Sequence, residues 1–182
     1  MSQNIEIKAL AGDFVLLKAK LASLQARHVE TLQQHDTFYR MPFGKFKLRR
    51  FDGGNSELIV YFRRDSFGPK QSKYFRFTLA RGIHRALQPI GRLWPKVGDV
   101  RKTRELFMYG ETRIHLDRVE GLGKYVEFEV VLRSDDKSAL KCGMQTAEYL
   151  MSNLGIEDSD LVSKAYIDLL PRSNRFQDSV VQ

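Results

Sequence analysis

Asn4-Ile5-Glu6-Ile7-Lys8-Ala9 alternates a polar side chain with an apolar one. In an extended chain, side chains at i, i+2 and i+4 share a face. Asn4, Glu6 and Lys8 therefore lie on one side, and Ile5, Ile7 and Ala9 on the other. The same rhythm returns in Lys45-Phe46-Lys47-Leu48-Arg49, in Arg113-Ile114-His115-Leu116-Asp117 and in Val126-Glu127-Phe128-Glu129-Val130. One such segment is an ordinary surface strand with a solvated charged face. Four of them, mixing carboxylates with Lys and Arg, predict a sheet closed into a barrel with its charged faces inward. A lumen lined by both signs of charge suits a polyanion bound together with divalent cations.

The rest of the chain fits that frame. Its 182 residues are enough for one domain or one large barrel, and its hydrophobic content of 42% is that of a folded protein. Thirty Lys and Arg against 22 Asp and Glu give a net charge of +8, which favours an anionic partner: nucleotide, polyphosphate, RNA or membrane surface. Cys142 is the only cysteine, so an internal disulfide and a cysteine-based zinc site are excluded; in its helical stretch it reads as a small packing residue. Met1–Leu10 lacks the pattern of a signal peptide, and no apolar run reaches the roughly 20 residues of a membrane span. The expectation is a cytoplasmic protein with no membrane contact, a monomer or homodimer.

Outward from the opening strand, Asp13 caps a helix to Arg27 with Phe14, Leu17, Leu21 and Leu24 in its stripe. Strands are expected over Thr31–Phe38, Lys45–Phe51, Glu57–Arg64, Lys73–Leu79, Val100–Tyr109, Thr112–Val119 and Tyr125–Arg133. Asp52-Gly53-Gly54-Asn55 and Gly110 make hairpin turns. Ala80–Leu93 reads as a bent helix interrupted by Pro89 and Gly91. Ser138–Leu154 reads as a second helix with Leu140, Met144, Ala147 and Met151 in its stripe and Gly155 as its stop. The class is α+β, an eight-stranded antiparallel β-barrel with helices packed outside.

The charged faces define two candidate sets. Glu6, Asp117, Glu127 and Glu129 are oxygen ligands of the kind hard cations take, so the expected metal is Mg²⁺ or Mn²⁺. Lys8, Lys45, Lys47, Arg49, Arg63, Lys102, Arg104 and Arg113, with Lys70 and Lys73 at a loop or strand start, are candidate phosphate contacts. A cationic strand face alone equally fits an RNA backbone or solvent; the admixture of carboxylates is what favours metal plus phosphate. His115, between Arg113 and Asp117, suits a proton carrier or substrate contact, or equally a histidine bonded to its neighbours. His28, His35 and His84 suggest no role. Tyr39, Phe43, Phe46 and Tyr61 read as packing.

Asn4-Ile5-Glu6-Ile7-Lys8 resembles the Glu-x-Glu-x-Lys signature of the CYTH domain, the triphosphate tunnel metalloenzyme superfamily. Lys102-x-Arg104, the run Arg113–Gly123, Glu127-x-Glu129 and Ala165–Leu170 resemble its CyaB-type, class IV adenylyl cyclase-like branch. The likeness runs from Asn4 to Leu170. It implies a CYTH-like domain over residues 1–170 with a flexible tail over 171–182, and a tunnel that binds a triphosphate. By that likeness Glu6, Asp117, Glu127 and Glu129 match metal ligands; Lys8, Lys47, Arg49, Arg63, Lys102, Arg104 and Arg113 match phosphate contacts. Lys8, Arg63 and Arg113 are the expected catalytic residues, with Lys45 and Lys70 as further phosphate contacts. One position departs: Asn4 stands where the signature has its first Glu, which lowers the charge available to a second metal ion.

The activity so implied is a divalent-metal-dependent phosphohydrolase acting on inorganic, nucleoside or organic triphosphate. The alternatives are a class IV adenylyl cyclase making cyclic AMP and pyrophosphate from ATP, and a non-catalytic binder of polyphosphate or RNA 5′ ends.

Overall fold

Strand β1 (Ser2–Leu10) is hydrogen-bonded to two neighbours at once, and that double pairing closes the sheet. On one side Glu6 lies opposite Glu129 and Lys8 opposite Glu127 of β8 (Gly123–Val131). On the other, Asn4 lies opposite Ser72 of β5 (Lys70–Leu79). The remaining strands are β2 (Arg27–Met41), β3 (Gly44–Phe51), β4 (Ser56–Phe62), β6 (Lys96–Tyr109) and β7 (Thr112–Val119). All pairings are antiparallel, and the order around the closed barrel is β1-β5-β4-β3-β2-β6-β7-β8. This computed structural model describes residues 2–41, 44–62, 70–79, 94–134 and 136–176, and of residues 2, 3, 44, 45, 61, 62 and 70–74 the backbone alone.

The barrel is inside-out relative to a soluble β-sandwich: its main apolar core lies on its outer wall. Ile5, Ile7 and Ala9 of β1, Ile114 and Leu116 of β7, and Val126, Phe128 and Val130 of β8 face outward. They are covered by helix α1 (Phe14–Ser23) through Phe14, Leu17 and Leu21, and by α2 (Lys137–Leu154) through Ala147, Leu150 and Leu154. Burying these side chains lets the alternation of the strands turn every charged partner residue into the lumen. A second apolar cluster, Phe38, Val100, Val119, Tyr125, Tyr166, Ile167 and Leu170, seats the short helix α3 (Tyr166–Leu169) on one end of the barrel.

Several expected boundaries move. The first helix ends at Ser23, not Arg27, because Gln25 turns with a φ of 58° and β2 begins at Arg27. That strand is longer than expected because β6 pairs along it from Arg27 to Tyr39. Asp13 does cap α1, accepting from the Val15 N–H at 2.9 Å, and Gly155 ends α2 in the left-handed region at φ 70°. The stripe of α2 is rotated from the expected one. Gly143, Ala147, Leu150 and Leu154 are buried, while Leu140 is 38% exposed. Cys142 is exposed, so it is not a packing residue. The expected helix over 80–93, with His84, lies outside the described residues, as does the tail beyond Phe176. Arg172–Phe176 forms a 3₁₀ turn lying on β6. Among the described residues no helix is long and apolar enough to cross a membrane.

Candidate active site

Two Lys-x-Arg segments organise the lumen, and each grips one aspartate. On β3, Lys47 Nζ donates to Asp36 Oδ2 at 2.8 Å, and Arg49 binds the same carboxylate through Nε (2.7 Å) and one terminal nitrogen (2.8 Å). On β6, Lys102 Nζ donates to Asp117 Oδ2 at 2.9 Å, and Arg104 again binds through Nε (2.6 Å) and one terminal nitrogen. Strand register makes these pairs. Asp36 lies opposite Arg49, and Asp117 opposite Arg104. A two-pronged Arg–carboxylate contact fixes the plane of the guanidinium, so both arginines are held in place where they line the lumen.

Three more side chains complete this wall. Lys8 Nζ is 3.0 Å from Glu127 Oε1, and Arg104 also contacts Glu127. Tyr166, from α3, donates its hydroxyl to Asp117 Oδ2 at 3.0 Å, and its ring lies under the ammonium groups of Lys8 (4.3 Å) and Lys102 (5.0 Å). Lys8, Arg49, Lys102 and Arg104 are all at most 8% exposed, a placement cations reach only when paired.

Charge and burial compete at each group. Burial pushes Asp36 up, but Arg49 and Lys47 outweigh it and hold the carboxyl well below its usual range; Asp117 is likewise pulled down, by Arg104 and Lys102. Burial, then the Arg104 charge, lowers Lys102 to about 8, and burial with Arg49 lowers Lys47. Burial and Arg104 bring His115 down to about 4 despite the carboxylates around it, so its imidazole is neutral at pH 7.

A cavity of about 150 Å³ is lined by this wall and by Asn4, Glu6 and Glu129, which share the β1–β8 seam with Lys8 and Glu127. Asn4 is 3% exposed, and its Oδ1 has no hydrogen-bond partner. Glu6 and Glu129 are cross-strand neighbours. This oxygen-only set fits a hard divalent cation, which usually takes one or two carboxylates and leaves positions for phosphate oxygens. Asp117 fits it less well, because Lys102, Arg104 and Tyr166 already occupy its oxygens. Among the described residues, no three His, Cys, Asp or Glu side chains gather as a preformed metal cage.

Of the expected site residues, Lys8, Lys47, Arg49, Lys102, Arg104, Glu6, Glu127 and Glu129 line this one cavity. Asp117 sits immediately behind it. Arg113 lies further along the lumen, 2.9 Å from Glu129. Arg63 lies outside the described residues, and Lys45 and Lys70 are described only as backbone in β3 and β5. Asp36, Tyr166 and Arg76 also belong to the lumen and were not expected there. Arg76 carried a signal, since Phe75-Arg76-Phe77-Thr78 alternates like the other strands. Tyr39 and Phe46 stack on each other at 4.9 Å, as packing residues. Phe43 and Tyr61 are not described as side chains.

The model of the CYTH domain family matches residues 2–166. The chain belongs to the CYTH family. Solved structures share the fold. The PH1012 protein of Pyrococcus horikoshii superposes with a TM-score of 0.78 at 22% identity, over 92% of this chain and 99% of that one. A candidate adenylate cyclase from Vibrio parahaemolyticus gives 0.75 at 20% identity, over 91% and 96%. HpAC1 of Hippeastrum, a candidate adenylyl cyclase described as having a dominant triphosphatase activity, gives 0.65 at 16% identity, over 96% and 100%. A search of curated proteins gave no match. CYTH membership also accounts for the closed barrel, whose charged lumen is the family's tunnel.

Proposed function

We propose that this CYTH protein is a divalent-metal-dependent phosphohydrolase that binds a triphosphate inside the barrel. One observation carries the reading. Five cations, Lys8, Lys47, Arg49, Lys102 and Arg104, line one cavity together with the oxygen donors of Asn4, Glu6 and Glu129. Counting Arg76, six cations line the cavity against the carboxylates Glu6, Asp36, Glu127 and Glu129, with Asp117 behind; a divalent cation at Glu6 and Glu129 would add the positive charge that a polyanion needs. Fixed arginine forks match phosphate oxygens, and they need no reorganisation as charge develops on the departing phosphates. Asn4, Glu6 and Glu129 would hold Mg²⁺ or Mn²⁺, which when bound supplies charge neutralisation at phosphate oxygens. In hydrolysis a water oxygen bonds to the terminal phosphorus, the P–O bond to the next phosphate breaks, and orthophosphate leaves. Lys8 and the cationic wall orient the chain for that attack, with Arg113 beside Glu129 and Arg63 as further charge partners.

Class IV adenylyl cyclase activity is the second reading, favoured by the likeness of Arg113–Gly123 and Glu127-x-Glu129 to that branch. Incubation with tripolyphosphate or ATP and Mg²⁺ or Mn²⁺, with phosphate, pyrophosphate and cyclic AMP assayed separately, tests both. Phosphate release is the expected result. Cyclic AMP with pyrophosphate establishes the cyclase, and binding without any product leaves the role of a polyphosphate or RNA-end binder.

A further inference from the structure

Helix α1 carries apolar residues on both sides, yet only one side is covered. Its inner side packs Phe14, Leu17 and Leu21 into the core on the barrel wall. Its outer side carries Val15 at 75% exposure and Leu16 at 57%, followed along the same face by the exposed Ala19 and Ala22. A helix that is apolar all round is ordinarily buried, and a surface helix keeps a polar outer face. The two lysines of α1 could supply that polarity, but both are drawn back onto the protein. Lys18 Nζ is 2.6 Å from Glu105 of β6, and Lys20 Nζ donates to the Leu154 carbonyl at 2.8 Å. The outer face is left with no charge of its own.

Cations gather beside its first turn instead. Arg118 of β7 and Lys124 of β8 are cross-strand neighbours, and like charges placed opposite each other repel. Both lie over the ring of Phe14, the residue before Val15, at 4.7 and 5.5 Å from its centroid. Among the described residues neither is paired with a carboxylate. A chain of net charge +8 thus sets two uncompensated cations next to an uncharged aliphatic ridge. Aliphatic side chains flanked by Lys and Arg suit a surface that is anionic outside and apolar beneath, which is the face of an anionic lipid bilayer. A second copy of this chain would instead bring the same two cations to the face again.

We infer that the outer face of α1, with Arg118 and Lys124, docks the folded protein on an anionic lipid surface. Val15 and Leu16 would sit at the boundary of headgroups and acyl chains, with the two cations among the lipid phosphates. The sequence expectation of no membrane contact follows from the lack of a spanning apolar run, and a helix lying in the interface needs no such run. So small a contact is reversible and sensitive to salt. The test is co-sedimentation of the full-length protein with vesicles of phosphatidylcholine, alone or with about one-third phosphatidylglycerol, at low and at physiological salt. Binding to the anionic vesicles alone, weakened by salt, is the expected result. Leu16→Glu should abolish it, and Arg118→Gln combined with Lys124→Gln should lower it by about tenfold or more. Both changes lie at the surface, and thermal unfolding close to that of the unaltered protein confirms that the variants are folded. No binding to anionic vesicles overturns the inference. Binding that Leu16→Glu leaves intact also overturns it, because a diffuse basic surface would give that result. A dimer that Leu16→Glu dissociates, without vesicle binding, overturns it as well and gives the face to a second copy.

Discussion

The Tyr166 hydroxyl reaches Asp117 Oδ2 at 3.0 Å, tying the C-terminal helix to the carboxylate that orients Lys102 and Arg104. Asp117 is fully buried, so the bond is shielded from water. Tyr166→Phe keeps the ring beneath Lys8 and Lys102 and removes only the donor. It should cost about 1 kcal/mol of stability, and Tyr166→Ala about 3–5 kcal/mol. Urea unfolding of both variants checks the ordering; equal losses would mean that the hydroxyl, not the ring, holds α3 in place.

Asp117→Asn leaves two buried cations short of their counter-charge. A destabilisation of about 3–5 kcal/mol is expected, as for other broken buried ion pairs. Thermal or urea unfolding measures it directly, and a loss below about 1 kcal/mol would show that Glu127 takes over the pairing.

Metal affinity should follow the β1–β8 seam. Glu6→Gln and Glu129→Gln should each weaken Mn²⁺ binding while the protein stays folded. Asn4→Glu should tighten it, because a carboxylate adds charge beside Glu6. Manganese titration followed by electron paramagnetic resonance reads affinity independently of turnover. Tighter binding in Asp117→Asn than in Glu6→Gln would place the ion with Glu6.

Lys102, lowered to about 8, should be drawn back to its ammonium form by a bound triphosphate. Binding near pH 8 should therefore take up protons and weaken as the pH rises beyond it. Calorimetry in two buffers of different ionisation enthalpy detects the uptake. No proton exchange would mean that phosphate does not approach this lysine.

Asp99 supplies a pH test away from the tunnel. Burial raises its pKa, but hydrogen bonds with His35, Lys96 and Thr37 bring it from 3.8 down to about 2. A lowered carboxylate stabilises the fold above the unfolded value, and that contribution is lost as the pH falls from 3.8 towards 2. Asp99→Asn should be less stable at pH 7 and show a flatter stability profile between pH 4 and 2. An unchanged acid profile would assign the effect to other groups.

The barrel was legible where one strand face is charged and the other apolar. Ile5, Ile7, Ile114, Leu116, Val126 and Phe128 all pack outside, which forces Glu6, Lys8, Arg113, Asp117, Glu127 and Glu129 inward. Asp36 escaped because its strand is polar on both faces. His35 and Thr37 point outward into a network around Asp99, so Gln34-His35-Asp36-Thr37 shows no alternation. The stripe of α2 escaped for a packing reason. An added methyl at Gly143 would lie 2.7 Å from Leu132 and 3.1 Å from Ile5, so the helix meets the barrel through a residue that hydrophobicity does not mark. Tyr166 stood within the Ala165–Leu170 likeness, but its place in the lumen was not legible, since its role depends on a strand far away in the chain.

The double pairing of β1 also sets the order of assembly. Its edge toward β8 stays unpaired, and Ile5 lacks its cover from α2, until elements late in the order β1 to α2 exist. Hairpins β3–β4, β6–β7 and β7–β8 can form early from neighbouring residues, but the seam joins the two ends of the sequence and carries the largest loop-closure cost. During synthesis Ile5 and Ile7 leave the ribosome long before their partners, as a sticky unpaired edge. Chaperone dependence and aggregation of slow-folding variants should therefore track substitutions in β1 more closely than those in any hairpin.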